Sequence, residues 1–472
     1  MRINNMTPSR FFLFFLLALC ITPRVSAQWQ AYSPAFTDMV GAFDLRVAEQ
    51  NDQVAWCVAM KYQVSPTAYT WVPSERLFFS RTSDGGETWQ GGTIPMGVEP
   101  YSSNICPINR DTAWATGLDI DFLNYALRTT DGGQTWERKM LTEYVDGASY
   151  INFLHFWDDL HGVAMGDPVP SDSDPVPFFE IYTTDDGGET WERVPSADIP
   201  LPVNNEFGSS GFYEVRGDYV WFGTIDAVTF NGKRMFRSKD RGKHWEVLEG
   251  ATNGFNLFSF ADTLHGLGAK RLNNPDVSLI YTEDGGDTWV TLPIYESPYP
   301  ANSYVLVPQS NYILTTRRVN NLTGPFQTML SKDLGETWIE LGETENAGKV
   351  VFRSPTLGYA GEIQPVDHAT RMYKYDGDPL LGLLSGRALE LDVNITPNPV
   401  VEQFRMHFEA ETPSAYRLFL HDANGRLLAR QDLAPCSSCQ AAFDVRAFPA
   451  GAYTLTISNE KGHITRPLVK IR

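Results

Sequence analysis

Little in this chain commits it to chemistry. It has 8 histidines and 5 cysteines in 472 residues, and they do not gather at the spacing a zinc site needs, so no metal is expected. It has no Gly-x-Ser-x-Gly elbow and no His-Glu-x-x-His run, which removes two well-marked routes to hydrolysis. Basic residues are outnumbered, 38 Lys and Arg against 57 Asp and Glu, for a formal charge of −19. Binding to nucleic acid rests on neutralising phosphates, so that class of partner is not expected. Helical periodicity is almost absent. Beyond residue 27 no apolar run approaches the roughly 18 residues of a membrane span, and no cofactor signature appears.

What is present is a repeat. Thr282-Glu283-Asp284-Gly285-Gly286-Asp287-Thr288-Trp289 has near copies at Thr82 to Trp89, Thr129 to Trp136, Thr184 to Trp191, Ser238 to Trp245 and Ser331 to Trp338, with His244 in place of the penultimate Thr in the fourth. The tryptophans are 47, 55, 54, 44 and 49 residues apart, a period that means one supersecondary unit per repeat. The octapeptide suits a tight turn between strands. Its Asp (Asp84, Asp131, Asp186, Asp240, Asp284, Asp333) accepts backbone N–H bonds, and Gly supplies positive φ. The closing Trp (Trp89, Trp136, Trp191, Trp245, Trp289, Trp338) opens the next strand with a ring suited to a half-buried pleat. The pattern resembles the Asp-box, or BNR, repeat of β-propellers, and its Asp-Gly-Gly-x-Thr-Trp wording looks most like propellers of the photosystem II stability/assembly factor type. That resemblance implies a structural element at the blade periphery.

Residues 1–27 carry a basic start (Arg2, Arg10), an apolar run from Phe11 to Ile21 and the small-residue exit Val25-Ser26-Ala27. They read as a secretory signal peptide; a lipoprotein reading through Cys20 is disfavoured by Leu19 before it. The segment holds three arginines and no acid, so its removal makes the mature chain more acidic still. Four cysteines remain, in an exported setting where disulfides persist. Of three formal pairings, Cys57 with Cys106 and Cys436 with Cys439 is expected, because each pair lies within one region.

Between the boxes the chain shows short strands, four per repeat, which make a propeller blade. A seventh unit begins at Lys349 and has no Asp box. The opening Trp29-Gln30-Ala31-Tyr32 mimics the Trp-led strand after each box, and is expected to complete that unit, closing the ring and hiding an open edge. The expectation is an all-β chain: a seven-bladed propeller over 28–376, a Gly- and Pro-broken linker over 377–388, and a small C-terminal β-sandwich over 389–472.

In that last segment Pro397-Asn398-Pro399, Asp422-Ala423-Asn424-Gly425, Gly451-Ala452-Tyr453 and a basic end at Lys470 look like the type A C-terminal sorting domain of the type IX secretion system of Bacteroidota. The resemblance implies the type IX machinery as partner and delivery to the medium or the outer-membrane surface. Cys436-Ser437-Ser438-Cys439 is an addition to that pattern; with no second Cys/His pair near, a local disulfide is expected rather than zinc or redox chemistry.

In a meander the boxes fix one face, and the long irregular connections fall on the other, where recognition usually resides. These connections carry Tyr69, Trp71, Asp119, Asp121, Asp172, Asp174, Tyr295 and Tyr299, aromatic faces and carboxylates suited to a glycan, peptide or protein ligand. No catalytic set is found: Arg-Ile-Pro, which sialidases usually carry, is missing, and acidic residues are too many to single out the two that a glycosidase uses. The expectation leans to a non-enzymatic binding module, with an Asp-box glycoside hydrolase, sialidase-like or glucanase-like, as the alternative.

Overall fold

The computed structural model describes the chain from Trp29 to Arg472, except residues 34–35, 37–39, 66–67, 72–75, 97–103, 119–123, 140–148, 171–175, 251–254, 274–275, 293–300, 319–325, 345–346, 363–369, 376–388, 390, 423–426 and 460–461. The expected signal peptide and linker therefore lie outside the described residues. The chain is all-β, with one short 3-10 turn at Ser196–Asp198 and no α-helix among the described residues.

Seven antiparallel sheets follow one another as meanders. Unit 1 consists of Val40–Ala48, Asn51–Ser65, Leu77–Thr82 and Gln90–Ile94, with Ala68–Trp71 as a side strand on the second. Unit 2 is Asn104–Pro107, Ala113–Leu118, Asn124–Thr129 and Glu137–Lys139, and unit 3 is Ile151–Phe156, Gly162–Val169, Phe178–Thr184 and Glu192–Arg193. Unit 4 is Glu206–Arg216, Tyr219–Asp226, Gly232–Ser238 and Glu246–Val247, and unit 5 is Phe255–Phe260, Gly266–Asn273, Asp276–Thr282 and Val290–Thr291. Unit 6 is Ala301–Leu306, Ile313–Arg318, Phe326–Ser331 and Ile339–Thr344. The remaining sheet, unit 7, joins Ala347–Ser354, Leu357–Glu362 and Met372–Tyr375 to Trp29–Tyr32 from the other end, in the register Trp29 opposite Tyr375.

Apolar clusters lie between consecutive units. Trp56 and Phe79 of unit 1 share a cluster with Ile105 and Leu127 of unit 2, and Trp221 of unit 4 stacks on Phe260 of unit 5 with ring centroids 3.9 Å apart. Another cluster joins Leu45 and Cys57 of unit 1 to Tyr359 and Met372 of unit 7. The Tyr359 hydroxyl donates to the Asp52 carbonyl at 2.8 Å, and Lys374 pairs with Glu87 of the first box. Small residues such as Ala113, Ala115 and Ala360 belong to second strands, which are packed on both faces.

The first strand of each unit ends its sheet and has no strand on its inner side. Buried N–H groups there must still be satisfied, and side chains of the preceding unit do it. Asp44 accepts from the Ile105 N–H at 3.2 Å, Asn104 from Leu154 at 3.1 Å, Asp167 from Gly208 at 2.9 Å and Ser259 from Leu306 at 3.2 Å. Cys106 does the same with its sulfur for the Phe156 N–H at 3.2 Å. The expected Cys57–Cys106 bond is therefore not made: both thiols are free and buried in separate clusters. Cys436 and Cys439 are bonded.

At the C-terminal end Gln403–Asp422 pairs with Leu427–Asp444 along its length and breaks register between Glu409 and Ser414. On its other edge Asn394–Thr396 pairs with the first half and Gly451–Asn459 with the second; Gly462–Lys470 follows. Both halves share one core around Phe404, Phe408, Leu418 and Leu455. Asn398 seals the seam, donating to the Pro467 carbonyl and accepting from the Val469 N–H, both at 3.0 Å, and the Tyr453 hydroxyl donates to the Pro449 carbonyl at 2.5 Å. Gly425 lies outside the described residues.

Candidate functional site

The six boxes turn the polar groups of their opening Ser or Thr and of their Asp inward. In the first, the Thr82 hydroxyl donates to Asp84 at 2.8 Å while accepting from the Gly86 N–H at 2.9 Å. Asp84 accepts from the Thr88 N–H at 3.0 Å and its hydroxyl at 2.6 Å. The same four bonds recur around Asp131, Asp186, Asp284 and Asp333. In the fourth box His244 Nδ1 takes the hydroxyl's place, 2.5 Å from Asp240. Bonds from the Thr135 and Thr190 hydroxyls and N–H groups hold Asp131 and Asp186 down to about 2. The boxes dock on the first turn of their own sheet, Gly85 N–H to the Gln53 carbonyl, Gly187 to Leu160 and Gly285 to Leu264. Each of the Leu-His-Gly turns is an Asx turn, His161 on Asp158 and His265 on Asp262.

A prominent cavity among the described residues lies elsewhere, where the first strands converge. It has a volume of about 590 Å³, and every unit's first strand contributes to it, from Arg46 in unit 1 to Lys349 and Arg353 in unit 7. A second cavity of about 490 Å³ on the side of the first turns shares Glu49, Arg216 and Arg353 with it. The local sequence explains the wall. Leu45 and Val47 pack toward unit 7, so Asp44 and Arg46, alternating with them, take the opposite side of the strand.

Arg46 is the central piece. Its Nε lies 3.0 Å from Asp44, and its guanidinium sits 4.1 Å over the Tyr213 ring of unit 4. Unit 4 meets it with a bulge between Gly208 and Tyr213, where the Gly211 carbonyl, at φ 70°, accepts from Arg46 Nη2 at 3.1 Å. Such bulges re-aim backbone near sites. Burial pushes the Asp44 carboxyl up, but Arg46, Lys349, the Ile105 N–H and Asn104 outweigh it and hold it below the ordinary range. Lys349 Nζ is 3.7 Å from Asp44, and burial pulls its own value down.

The remaining charges are also paired. Arg216 lies 3.3 Å from Glu214, and Arg353 lies 3.6 Å from Glu49 and 2.8 Å from Asp52. His155, 7% exposed, is kept neutral: burial, then the positive charges of Arg46, Arg353, Arg216 and Arg241, pull it down to about 3. Its Nε2 is buried without a hydrogen-bond partner. Burial also raises the Cys106 thiol to about 12 and keeps the Tyr213 phenol protonated. The wall thus offers paired donors and acceptors, with its His155, Cys106 and Tyr213 held in their neutral forms.

On the other side, Asp167 of unit 3 accepts from Asn152 at 2.8 Å and from Gly208 of unit 4 at 2.9 Å. Burial raises it to about 6 against those two bonds, with the Glu180 carboxylate adding to the rise.

Of the eight binding residues expected on the long connections, Asp119, Asp121, Asp172, Asp174, Tyr295 and Tyr299 lie outside the described residues. Tyr69 and Trp71 fall on the side strand, paired in backbone with Val64 and Tyr62. Sequence reasoning missed the axial set. The signal was there: Asp44-Leu45-Arg46-Val47, Tyr213-Glu214-Val215-Arg216 and Val350-Val351-Phe352-Arg353 each place charge beside apolar residues in the strand before a first turn.

Residues 394–471 match the secretion system C-terminal sorting domain, and residues 182–193 match the BNR/Asp-box repeat. The sorting-domain match indicates type IX export to the cell surface or beyond. No curated protein matches the chain. Among solved structures it is similar to YCF48 from Cyanidioschyzon merolae, at 15% identity over 74% of this chain and 98% of that one, with a TM-score of 0.48. It is also similar to YCF48 bound to D1 peptide (17%, 74% and 96%, TM-score 0.46) and to Trypanosoma rangeli sialidase in complex with sialic acid (11%, 93% and 88%, TM-score 0.41).

Proposed function

We propose that this chain is an exported, non-enzymatic propeller that binds a glycan, peptide or protein ligand at the mouth of its central cavity. In this reading residues 28–376 form seven blades, and Trp29–Tyr32 completes the seventh and closes the ring. Support comes from apolar clusters between each unit and the next, including one between units 7 and 1. A signal peptide at 1–27 starts export, and residues 389–472, after a linker at 377–388, engage the type IX machinery. The boxes are scaffold, because both carboxylate oxygens are consumed inside the turn. Tyr69, Trp71, Asp119, Asp121, Asp172, Asp174, Tyr295 and Tyr299 would extend the binding face outward from the mouth.

The observation that carries binding is the charge-paired wall of the axial cavity. Its Arg and Glu side chains stand ready to exchange hydrogen bonds with a polar ligand, while its His, Cys and Tyr are held in their neutral forms. Glycoside hydrolysis remains the second reading because Glu49 and Glu214 line the same cavity. A hydrolase needs one of its two carboxyl groups set to donate a proton, and each of these has a guanidinium beside it. The mature chain applied to glycan and peptide arrays, with a chromogenic glycoside panel in parallel, separates the readings. Binding without turnover is expected. Turnover abolished by Glu49→Gln or Glu214→Gln would establish the hydrolase, and neither binding nor turnover would overturn both.

A further inference from the structure

The turn between the second and third strands of unit 4 ends in a residue that its fold does not reward. Phe230 is 73% exposed and has φ 56°, the left-handed region that a bulky side chain avoids. Four other non-glycine residues share that conformation. Arg241 and Leu334 occupy box positions filled by glycine in the other boxes, Gln309 lies in a first turn, and Asn205 is of a type that tolerates it. Phe230 alone among these places an aromatic ring in solvent. The turn is nonetheless tightly built: Asp226 accepts from the Val228 and Thr229 N–H groups at 3.0 and 2.9 Å, and the Phe230 N–H donates to the Asp226 carbonyl at 2.8 Å. Strain kept by a rigid turn, for a side chain that packs on little, points to use.

Phe230 and Asn231 line the axial cavity together with Arg46, Glu214 and Lys349. Two more exposed apolar side chains belong to this part of the chain: Val228, 71% exposed, in the same turn, and Val203, 47% exposed, in the segment before unit 4, which is tied to the turn by the bond from the Ala227 N–H to the Asn205 carbonyl at 2.9 Å. We infer that Phe230 is the platform of a saccharide subsite at the cavity mouth, on which the C–H face of a neutral sugar ring stacks while its hydroxyls reach the paired Arg and Glu side chains below. The inference rests on the binding function proposed above and names its ligand class. Two features select a neutral saccharide. The four cations of the wall have four carboxylates beside them, Arg46 and Lys349 at Asp44, Arg216 at Glu214, and Arg353 at Glu49 and Asp52, so no net ligand charge is called for. A hydroxyl both donates and accepts, as a guanidinium beside a carboxylate requires.

The test uses the full mature chain on immobilised neutral oligosaccharides (β-glucan, xylan, mannan and chitin fragments), with wild type, Phe230→Gly and Phe230→Tyr compared. Glycine relieves the left-handed strain, so Phe230→Gly is expected to melt no lower than wild type while its affinity falls by about tenfold. Phe230→Tyr keeps the ring and is expected to bind as wild type. Affinity unchanged in Phe230→Gly, or no neutral saccharide bound at all, overturns the inference. If a peptide binds instead and Phe230→Gly leaves that binding intact, the saccharide subsite falls and the binding function stands. If no ligand of either class binds, both fall.

Discussion

The boxes and the axial cavity solve the same problem, keeping polar groups satisfied near a packed core, in opposite ways. A box is closed on itself: its Ser or Thr, Asp and second Thr lie within a few residues, and the same four bonds recur. The axis is assembled from parts that are far apart in the chain, with Arg46 of unit 1 bonded to Gly211 of unit 4. Local networks are robust and repeatable, whereas assembled ones are unique, and a unique constellation is where selectivity can be built. That contrast also predicts how each fails.

The largest loss is expected at the axis. Asp44→Ala strands Arg46 and Lys349 in a buried site, and removing one partner of such a cluster costs about 3–5 kcal/mol; urea unfolding should show it, and a cost no larger than that of a box substitution would erase the distinction drawn here. Next comes the clasp between units 3 and 4. Asp167, raised to about 6 from 3.8, holds its proton more tightly when folded, so its contribution is full below pH 3.8 and is lost as pH rises through 6. The span amounts to about 3 kcal/mol, and Asp167→Asn should flatten stability between those two pH values. A single box is worth less: Asp284→Ala should cost about 1–2 kcal/mol, read from the same unfolding curves. Smallest is His244→Thr, which restores the hydroxyl found in the other boxes and should move the melting temperature by less than about 2 °C.

The difference between the regions also explains what could be read from the chain beforehand. The boxes announce themselves because their bonds join residues two and four positions apart, and the strands that flank them inherit that phase. Trp29–Tyr32 was legible for a related reason, being a strand in the style of those after each box, and it pairs with Met372–Tyr375. Cys57 and Cys106 misled because nearness in sequence says nothing of which face of a strand a thiol takes; one packs toward unit 7 and the other toward unit 3. Arg46, Tyr213 and Lys349 are separated by more than a hundred residues each, so only the arrangement of the units brings them together. Phe230 carried no pattern at all. Its backbone angle, invisible in the letters, is what sets it apart.

The pairing of Trp29 with Tyr375 has a consequence for how the molecule comes to be. The earliest-made strand of this body waits for nearly the last, so the seam forms only after every intervening sheet has been synthesised. A pairing of that kind demands a contact between residues far apart in the chain, which is slow to find. Until then the edge of Met372–Tyr375 that Trp29–Tyr32 covers has no strand beside it.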